Sequence, residues 1–231
     1  MRRHRLAALM ALALTATVPM AGRAQACATE PFVDNSRLAF KKAKYDDRVI
    51  LIVYGGIARG DARRLEQQIL EHRRLSVPID EIWLHSQGGN AWEGLGIGRV
   101  IRKYGIMTRV PAGFACGSAC TTAFLGGPIR SVDPGGRYIV HAFSSLGRDD
   151  EKPGDTLEML SVEQQRQKEQ GDAILGAEWS AYATEMGVST DFSRATMNIP
   201  HTSQKTLSQK EINDYLVTNF PADPVGCMTL N

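Results

Sequence analysis

The stretch from Ile79 to His141 decides the fold. It reads IDEIWLHSQGGNAWEGLGIGRVIRKYG over 79–105, IMTRVPAGFACGSACTTAFLGG over 106–127, and RYIVH over 137–141. Apolar, β-branched runs alternate there with helix-forming segments, and the strand-to-helix turns consist of small residues. Such alternation predicts a parallel α/β sheet with helices packed on it.

The flanking sequence extends this pattern. VILIVYGGI at 49–57 predicts a strand covered on both faces, while residues 27–45 are predicted to be an irregular lead-in. IMTRVPAG and RYIVHAF are predicted as the next strands, and 144–155 as an exposed loop. Helix starts are predicted from an N-terminal capping residue or from capping-box pairs; these are Asp61, Asn90 with Glu93, Ser161 with Gln164, and Ser208 with Glu211. The first of these helices is expected to end near His72, and the amino half of the helix from Ser161 to project into solvent or meet another subunit.

The first 26 residues have the pattern of a secretory signal peptide. Arginines 2, 3 and 5 precede the apolar run LAALMALALTATVPMA, and Ala24-Gln25-Ala26 fits a cleavage site. A membrane-spanning helix and a lipoprotein with Cys27 acylated are the alternatives. The sequence therefore predicts export to the periplasm or medium, and a single mature domain at 27–231 without an integral membrane segment.

The charge of the chain changes when this leader is removed. The formal charge of +2 becomes −2, because the leader carries four arginines and no acid. A near-neutral mature protein lacks the basic surface typical of nucleic-acid binding. No nucleic-acid partner is expected.

All four cysteines lie beyond the leader, and an even number in an exported chain favours disulfides. Three pairings are possible; we favour Cys27 with Cys227 and Cys116 with Cys120. The second pair requires Cys116 to precede the helix, since the Cβ directions within a regular helix are poor. Zinc binding is the less favoured alternative, because no histidine pair accompanies the Cys-x3-Cys spacing.

Three residues at strand ends suggest acyl-transfer chemistry. Ser118 sits in a small-residue turn before a helix, where it is either a nucleophile or an N-cap. Gly88 lies in a Gly-Gly turn that either exposes N–H groups to an oxyanion or is an ordinary tight turn. His141 ends an apolar strand and is either a general base or a structural histidine. His85, one strand earlier, is interpreted as structural.

The ordered series resembles the Clp-type serine peptidases, over about residues 49–217. The carrying motifs are Ser86-Gln87-Gly88-Gly89, the serine turn about thirty residues later, the strand ending in histidine, and LSQKEINDYLVTN near the end. The resemblance implies a Clp/crotonase-like parallel β-sheet spiral with surrounding helices and a protruding helix near 161–185. It also implies a nucleophile, base and oxyanion donors at Ser118, His141, Gly88 and Ala119, and a homo-oligomer acting on peptides or proteins.

The chain departs from that family in two respects. The family's aspartate should fall in ATMNIPHTSQK, which contains no acid. Asn198 is the candidate to orient His141, and the third member of the triad stays unassigned. Losing an orienting acid can cost about four orders of magnitude in rate. The export signal also differs from the intracellular Clp peptidases and resembles exported ClpP-like proteins.

Several functions remain open from the sequence. A serine peptidase is favoured; the alternatives are a non-catalytic peptide-binding or assembly protein, an acyl-CoA enzyme of crotonase type, and a cysteine nucleophile at Cys116 or Cys120. Export argues against the last two, since coenzyme A is intracellular and an oxidising compartment disfavours free thiols. No metal or cofactor is expected, because phosphate-loop, dinucleotide and H-E-x-x-H motifs are missing from the sequence.

Overall fold

The computed structural model describes residues 27–143, 161–200, 202–222 and 225–230. The predicted signal peptide and the predicted loop at 144–155 lie outside these residues. The strands are β1 Ala39–Tyr45, β2 Arg48–Ile57, β3 Glu81–Gly89, β4 Met107–Val110, β5 Ala115–Gly117, β6 Arg130–Val132, β7 Arg137–Val140 and β8 Lys205–Thr206. The helices are α1 Asp61–Arg74, α2 Ala91–Tyr104, α3 Ala119–Leu125, α4 Val162–Glu185, α5 Thr190–Met197 and α6 Gln209–Asp214.

The strands form one sheet with the order β1-β2-β3-β5-β7-β8. β4 pairs with the amino-terminal residues of β3, and β6 pairs with β4. The central pairs β2–β3, β3–β5 and β5–β7 are parallel, while the outer pairs β1–β2 and β7–β8 are antiparallel. Buried apolar side chains of the strands and helices form one continuous core. The predicted α/β architecture is thus confirmed, with antiparallel edges added to the parallel centre.

The predicted irregular lead-in is wrong over its last 7 residues. Residues 39–45 form the edge strand β1, paired along its length with β2. Its sequence AFKKAKY carries three lysines, which hide the strand pattern. Lysine on an edge strand discourages pairing with other chains, so this composition is common at sheet edges.

The predicted third strand is shorter than expected. IMTRVPAG contributes only Met107–Val110 to β4, and the chain turns before the separate strand β5. Beyond β3, the sheet therefore divides into a β4–β6 branch and a β5–β7 branch. The second branch carries the serine turn and the strand that leads to His141.

The predicted helix starts are correct in position but differ in detail. The capping boxes at Ser161 and Ser208 are confirmed. Asn90 caps α2, but the Glu93 carboxylate accepts from the N–H groups of Gly60 and Ala62 instead of closing a box. Gly60, not Asp61, is the N-cap of α1.

The buried Asp61 carboxylate contacts both the lead-in and the helix, although it does not cap the helix. It accepts hydrogen bonds from the N–H groups of Leu38 and Ala58 and forms an ion pair with Arg64. A buried carboxylate of this kind is stabilised because each lone pair faces a donor. The contact ties the segment before β1 to the start of α1.

Glycines allow α2 to lie directly against α3. A Cβ on Gly94 would stand 2.6 Å from the carbonyl oxygen of Ala119, and one on Gly126 would stand 2.1 Å from that of Gly98. These distances leave no room for a side chain at either position. The GLGIG segment at 94–98 is therefore a helix-packing surface.

One buried cation joins several chain segments. The Arg130 guanidinium donates to the carbonyl oxygens of Gly127, Met186, Leu216 and Val217 at 2.7–3.2 Å. Burial lowers the pKa of this guanidinium, but the carbonyl oxygens satisfy its donors. Arg130 thereby connects β6 to the ends of α4 and α6.

Both predicted disulfides are confirmed. Cys27 pairs with Cys227 across 200 residues, at a Cα–Cα distance of 5.4 Å. Cys116 pairs with Cys120 at 5.3 Å, and Cys116 lies in β5, before the helix, as the pairing requires. The described residues include no free cysteine and no helix that is both long and apolar enough to span a bilayer.

Candidate active site

The sheet brings the predicted site residues to neighbouring strand ends. Gly88 lies at the carboxyl end of β3, Ser118 directly follows β5, and His141 directly follows β7. These strands are adjacent and parallel, with Gly117 opposite Ile139 and the Ser118 N–H donating to the Ile139 carbonyl at 3.0 Å. Ser118 and His141 are half-buried, whereas their neighbours Gly117, Ala119 and Val140 are buried. The arrangement leaves both functional groups partly accessible at one edge of the sheet.

Ser118 has an unusual backbone conformation. Its φ of 53° and ψ of −127° lie in a region that residues with a side chain rarely adopt. Such a conformation costs on the order of 1–3 kcal/mol and is concentrated at functional sites. The hydroxyl makes no capping hydrogen bond to α3, so an N-cap role does not explain the residue.

Gly88 packs directly against the serine turn. With φ at +97°, a Cβ there would lie 2.7 Å from the Ser118 Cβ and 2.9 Å from the Ala119 nitrogen. Any larger residue would therefore displace the turn. Glycine at this position lets two strand ends approach closely, which an ordinary tight turn does not require.

The two predicted oxyanion donors have different surroundings. Ala119 begins α3, so its N–H has no acceptor within the helix. The Gly88 N–H donates to the Ser86 hydroxyl oxygen at 3.1 Å, and that hydroxyl donates to the Gly55 carbonyl at 2.6 Å. Gly88 would have to leave this bond to serve an oxyanion, so its role stays a prediction.

The imidazole of His141 has a defined hydrogen bond. Its Nδ1 lies 2.7 Å from the Ala142 carbonyl oxygen. A carbonyl only accepts, so this contact places the ring proton on Nδ1 and leaves the Nε2 lone pair available. That tautomer is the one a general base needs when it takes a proton through Nε2.

Asn198 lies at the end of α5, where its side chain is exposed. The following residue, Ile199, accepts a hydrogen bond from the Ala142 N–H at 2.7 Å, so the backbone near Asn198 reaches the His141 segment. The described hydrogen bond of the His141 ring nevertheless goes to Ala142. Asn198 as the orienting residue therefore stays a prediction.

The serine turn is also held by residues that the sequence did not single out. The Tyr138 hydroxyl donates to the Thr121 carbonyl, and the Tyr182 hydroxyl donates to the Thr122 carbonyl, each at 3.0 Å. Both tyrosines are buried, and burial raises the pKa of each phenol, which keeps it protonated as a donor. Aromatic residues facing a short helix of small residues would have been the only sequence signal.

His85 is structural, as interpreted from the sequence. Its Nδ1 accepts from the Ala115 N–H at 3.1 Å, so its Nε2 carries the proton and donates to the Pro31 carbonyl at 3.0 Å. The fully buried ring also stacks on Phe32, with 5.3 Å between centroids. His85 thereby fastens the lead-in to β3 and β5.

Burial lowers the pKa of His85 in the folded protein, because the charged imidazolium would lose its hydration. The unfolded chain therefore binds a proton more readily, beginning near an ordinary histidine pKa of about 6.5. We expect the stability contributed by neutral His85 to be present above about pH 6.5 and to be lost as pH falls below it, by up to about 1.4 kcal/mol per pH unit. Denaturant titrations across this range should show a shallower pH slope for His85→Gln. An unchanged slope would contradict the assignment.

Comparison with known proteins extends the geometric result. No protein-family model and no curated sequence matches this chain. Among solved structures, a serine-to-alanine mutant of the 1510-N membrane-bound stomatin-specific protease is 16% identical, with a TM-score of 0.50, covering 76% of this chain and 78% of that one. ClpP1 from Listeria monocytogenes is 21% identical, with a TM-score of 0.47, covering 75% of this chain and 90% of that one.

An Asn-to-Asp mutant of the same ClpP1 is also similar, at 21% identity and a TM-score of 0.48, covering 76% of this chain and 92% of that one. The chain has a Clp/crotonase-like fold. At these identities the likeness shows the fold alone.

Proposed function

We propose that this protein is a serine peptidase in which Ser118 is the nucleophile and His141 the general base. The observation that carries the proposal is the strained, uncapped Ser118 at the end of β5, one strand away from a histidine whose Nε2 lone pair is available. A strained serine between a strand and a helix is a recurring way of exposing a nucleophile. The Clp/crotonase-like fold is consistent with this reaction.

The proposed reaction follows the serine acyl-transfer scheme. Ser118 Oγ attacks the peptide carbonyl carbon while His141 Nε2 takes the hydroxyl proton, and the Ala119 N–H donates to the developing oxyanion. His141 then gives the proton to the leaving amine, and the C–N bond breaks. Water repeats the sequence on the acyl-serine ester and releases the carboxylate. The Ala142 carbonyl stabilises the imidazolium at Nδ1, where the Clp family has an acid.

We also propose that the protein is exported and carries both disulfides in its mature form. Two disulfides in one chain are typical of oxidising compartments. Cleavage after residue 26 would leave Cys27 at the new amino terminus, ready to pair with Cys227. A homo-oligomer is also proposed, from the resemblance of the ordered motifs to the Clp-type peptidases.

A non-catalytic peptide-binding protein is the second candidate. It is favoured by one observation, which is that His141 Nδ1 faces a neutral carbonyl and not a carboxylate. A neutral partner stabilises the imidazolium less than an acid does, so the base would be weaker. Peptide binding at the same strand ends would then persist without turnover.

Fluorophosphonate labelling separates the two candidates. A fluorophosphonate reacts with an activated serine and leaves a covalent adduct that peptide mass spectrometry locates. We expect the folded, oxidised protein to carry the adduct on Ser118, and the adduct to be lost in Ser118→Ala. A folded protein that remains unlabelled at Ser118 would overturn the peptidase proposal.

A further inference from the structure

The segment 27–37, here called the strap, crosses the carboxyl end of the sheet beside the candidate site. Cys27 is bonded to Cys227, and the Glu30 N–H donates to the Gly113 carbonyl at 2.8 Å. The His85 Nε2 donates to the Pro31 carbonyl at 3.0 Å, and the Gly56 N–H donates to the Asn35 carbonyl at 2.8 Å. The strap is therefore fixed at both ends and in the middle.

Glycines in β2 make room for the strap. A Cβ on Gly55 would stand 2.8 Å from the Arg37 carbonyl oxygen, and one on Gly56 would stand 2.8 Å from the Asn35 carbonyl oxygen. Both contacts are with backbone atoms, so a side chain would push the strap away. The close seating of the strap on β2 thus depends on glycines at these two positions.

A cleft lies between the strap and the Gly-Gly turn. It has a volume of about 260 Å³, and its lining includes Asp34 and Asn35 from the strap, Gly56 from β2, and Gln87 and Gly88 from β3. Whole small ligands typically occupy about 300–1,000 Å³. A cleft of this size suits a single side chain of a longer substrate.

Gly88 lines the cleft and also lies directly against Ser118, so one residue separates the cleft from the nucleophile. Asp34 is the only charged residue in its described lining, and its side chain is exposed. The nearby Arg37 is directed elsewhere, since its guanidinium donates to the Arg59 carbonyl and forms an ion pair with Asp61. The cleft consequently carries a net negative charge.

We propose that this cleft is a substrate subsite that takes a lysine or arginine side chain of a peptide, with Asp34 as the residue that recognises the charge. The inference rests on the proposed function for its placement beside Ser118. The aliphatic stem of the basic side chain would lie along the glycine-lined floor, and its cationic end would reach the Asp34 carboxylate at the rim. The strap holds Asp34 in place, so little order has to be gained on binding.

The test uses peptide binding to the oxidised Ser118→Ala protein, which prevents turnover. The probes are capped peptides in which one lysine is moved through an alanine background, each matched by a norleucine peptide. We expect the best lysine peptide to bind about 5-fold more tightly than its norleucine match, a ratio suited to a partly exposed ion pair. This preference should weaken at high salt, because the pair is reached by solvent.

Two further variants make the test specific. Asp34→Asn should remove the lysine preference, and Asp34→Lys should turn it into a preference for glutamate. Asp47→Asn is the matched control, since Asp47 is exposed in the turn at the opposite end of β2. This variant makes the same change in charge and should keep the preference.

An equal lysine-to-norleucine ratio with and without the Asp34→Asn substitution, or no lysine preference in either protein, would overturn the subsite. Labelling of Ser118 in the parent protein reports separately on the peptidase proposal. If the lysine preference is found but Ser118 is not labelled, the subsite proposal is supported and the peptidase proposal is rejected. If Ser118 is labelled but there is no lysine preference, the peptidase proposal is supported and the subsite proposal is rejected.

Discussion

Replacing His141 with alanine is expected to slow fluorophosphonate labelling of Ser118 by about 10²–10⁴-fold, the usual contribution of a positioned general base. The serine itself stays in place, so the variant removes only the group that takes its proton. The His141 side chain is half-buried at the rim of the sheet, so its truncation leaves the buried core untouched. The rate of adduct formation, followed by intact-protein mass spectrometry, measures the effect.

Asn198→Ala is the informative comparison. Because His141 Nδ1 already has the Ala142 carbonyl as a partner, we expect this variant to slow labelling by less than about 10-fold. A loss as large as that of His141→Ala would show that Asn198 is the orienting residue after all. An unchanged rate in His141→Ala would exclude His141 as the base.

Removing either disulfide is expected to destabilise the fold, but by different amounts. For a loop closed across 200 residues, chain entropy predicts that loss of Cys27–Cys227 lowers the free energy of unfolding by about 5 kcal/mol. Loss of Cys116–Cys120, which closes a separation of only 4 residues, should cost about 2 kcal/mol. Denaturant unfolding of the oxidised double-alanine variants measures both values.

Labelling of Ser118 should rank the same variants in the reverse order. The short disulfide links the strand before the serine to the helix after it, and so supports the strained backbone between them. We expect Cys116→Ala with Cys120→Ala to slow labelling by more than about 10-fold, roughly the effect of relaxing about 1–3 kcal/mol of strain. Cys27→Ala with Cys227→Ala should label at nearly the parent rate. The same ranking in both assays would contradict this division of roles.

The local signals of the sequence predicted the fold well. Buried strands such as β2 are continuous apolar runs in the sequence. The capping pairs at Ser161 and Ser208 predicted the N-cap residues of α4 and α6 correctly. β1 was missed because its lysines suit an edge, which resembles a polar loop in sequence. β5, β6 and β8 are only two or three residues long, too short for any periodicity to appear.

The site was predictable to the extent that it depends on strand ends. Gly88 lies at the carboxyl end of one strand, and Ser118 and His141 follow the next two parallel strands of the sheet, so their order along the chain predicted that they lie together. The bond between Gly88 and Ser86 could not be predicted, because it depends on where the ladder between β2 and β3 shifts register. The partner of His141 Nδ1 is the backbone carbonyl of Ala142. Every residue has such a carbonyl, so the sequence cannot indicate which one accepts the bond.

The carbonyl contacts of Arg130 imply a single cooperative unit within the fold. One guanidinium serves the loop after α3 and the carboxyl ends of α4 and α6. Opening any one of these segments would leave a buried cation short of acceptors, a cost that the remaining segments cannot relieve. Their amide hydrogens should therefore exchange with solvent at a common rate, although Arg130 and its acceptor Val217 are 87 positions apart along the chain.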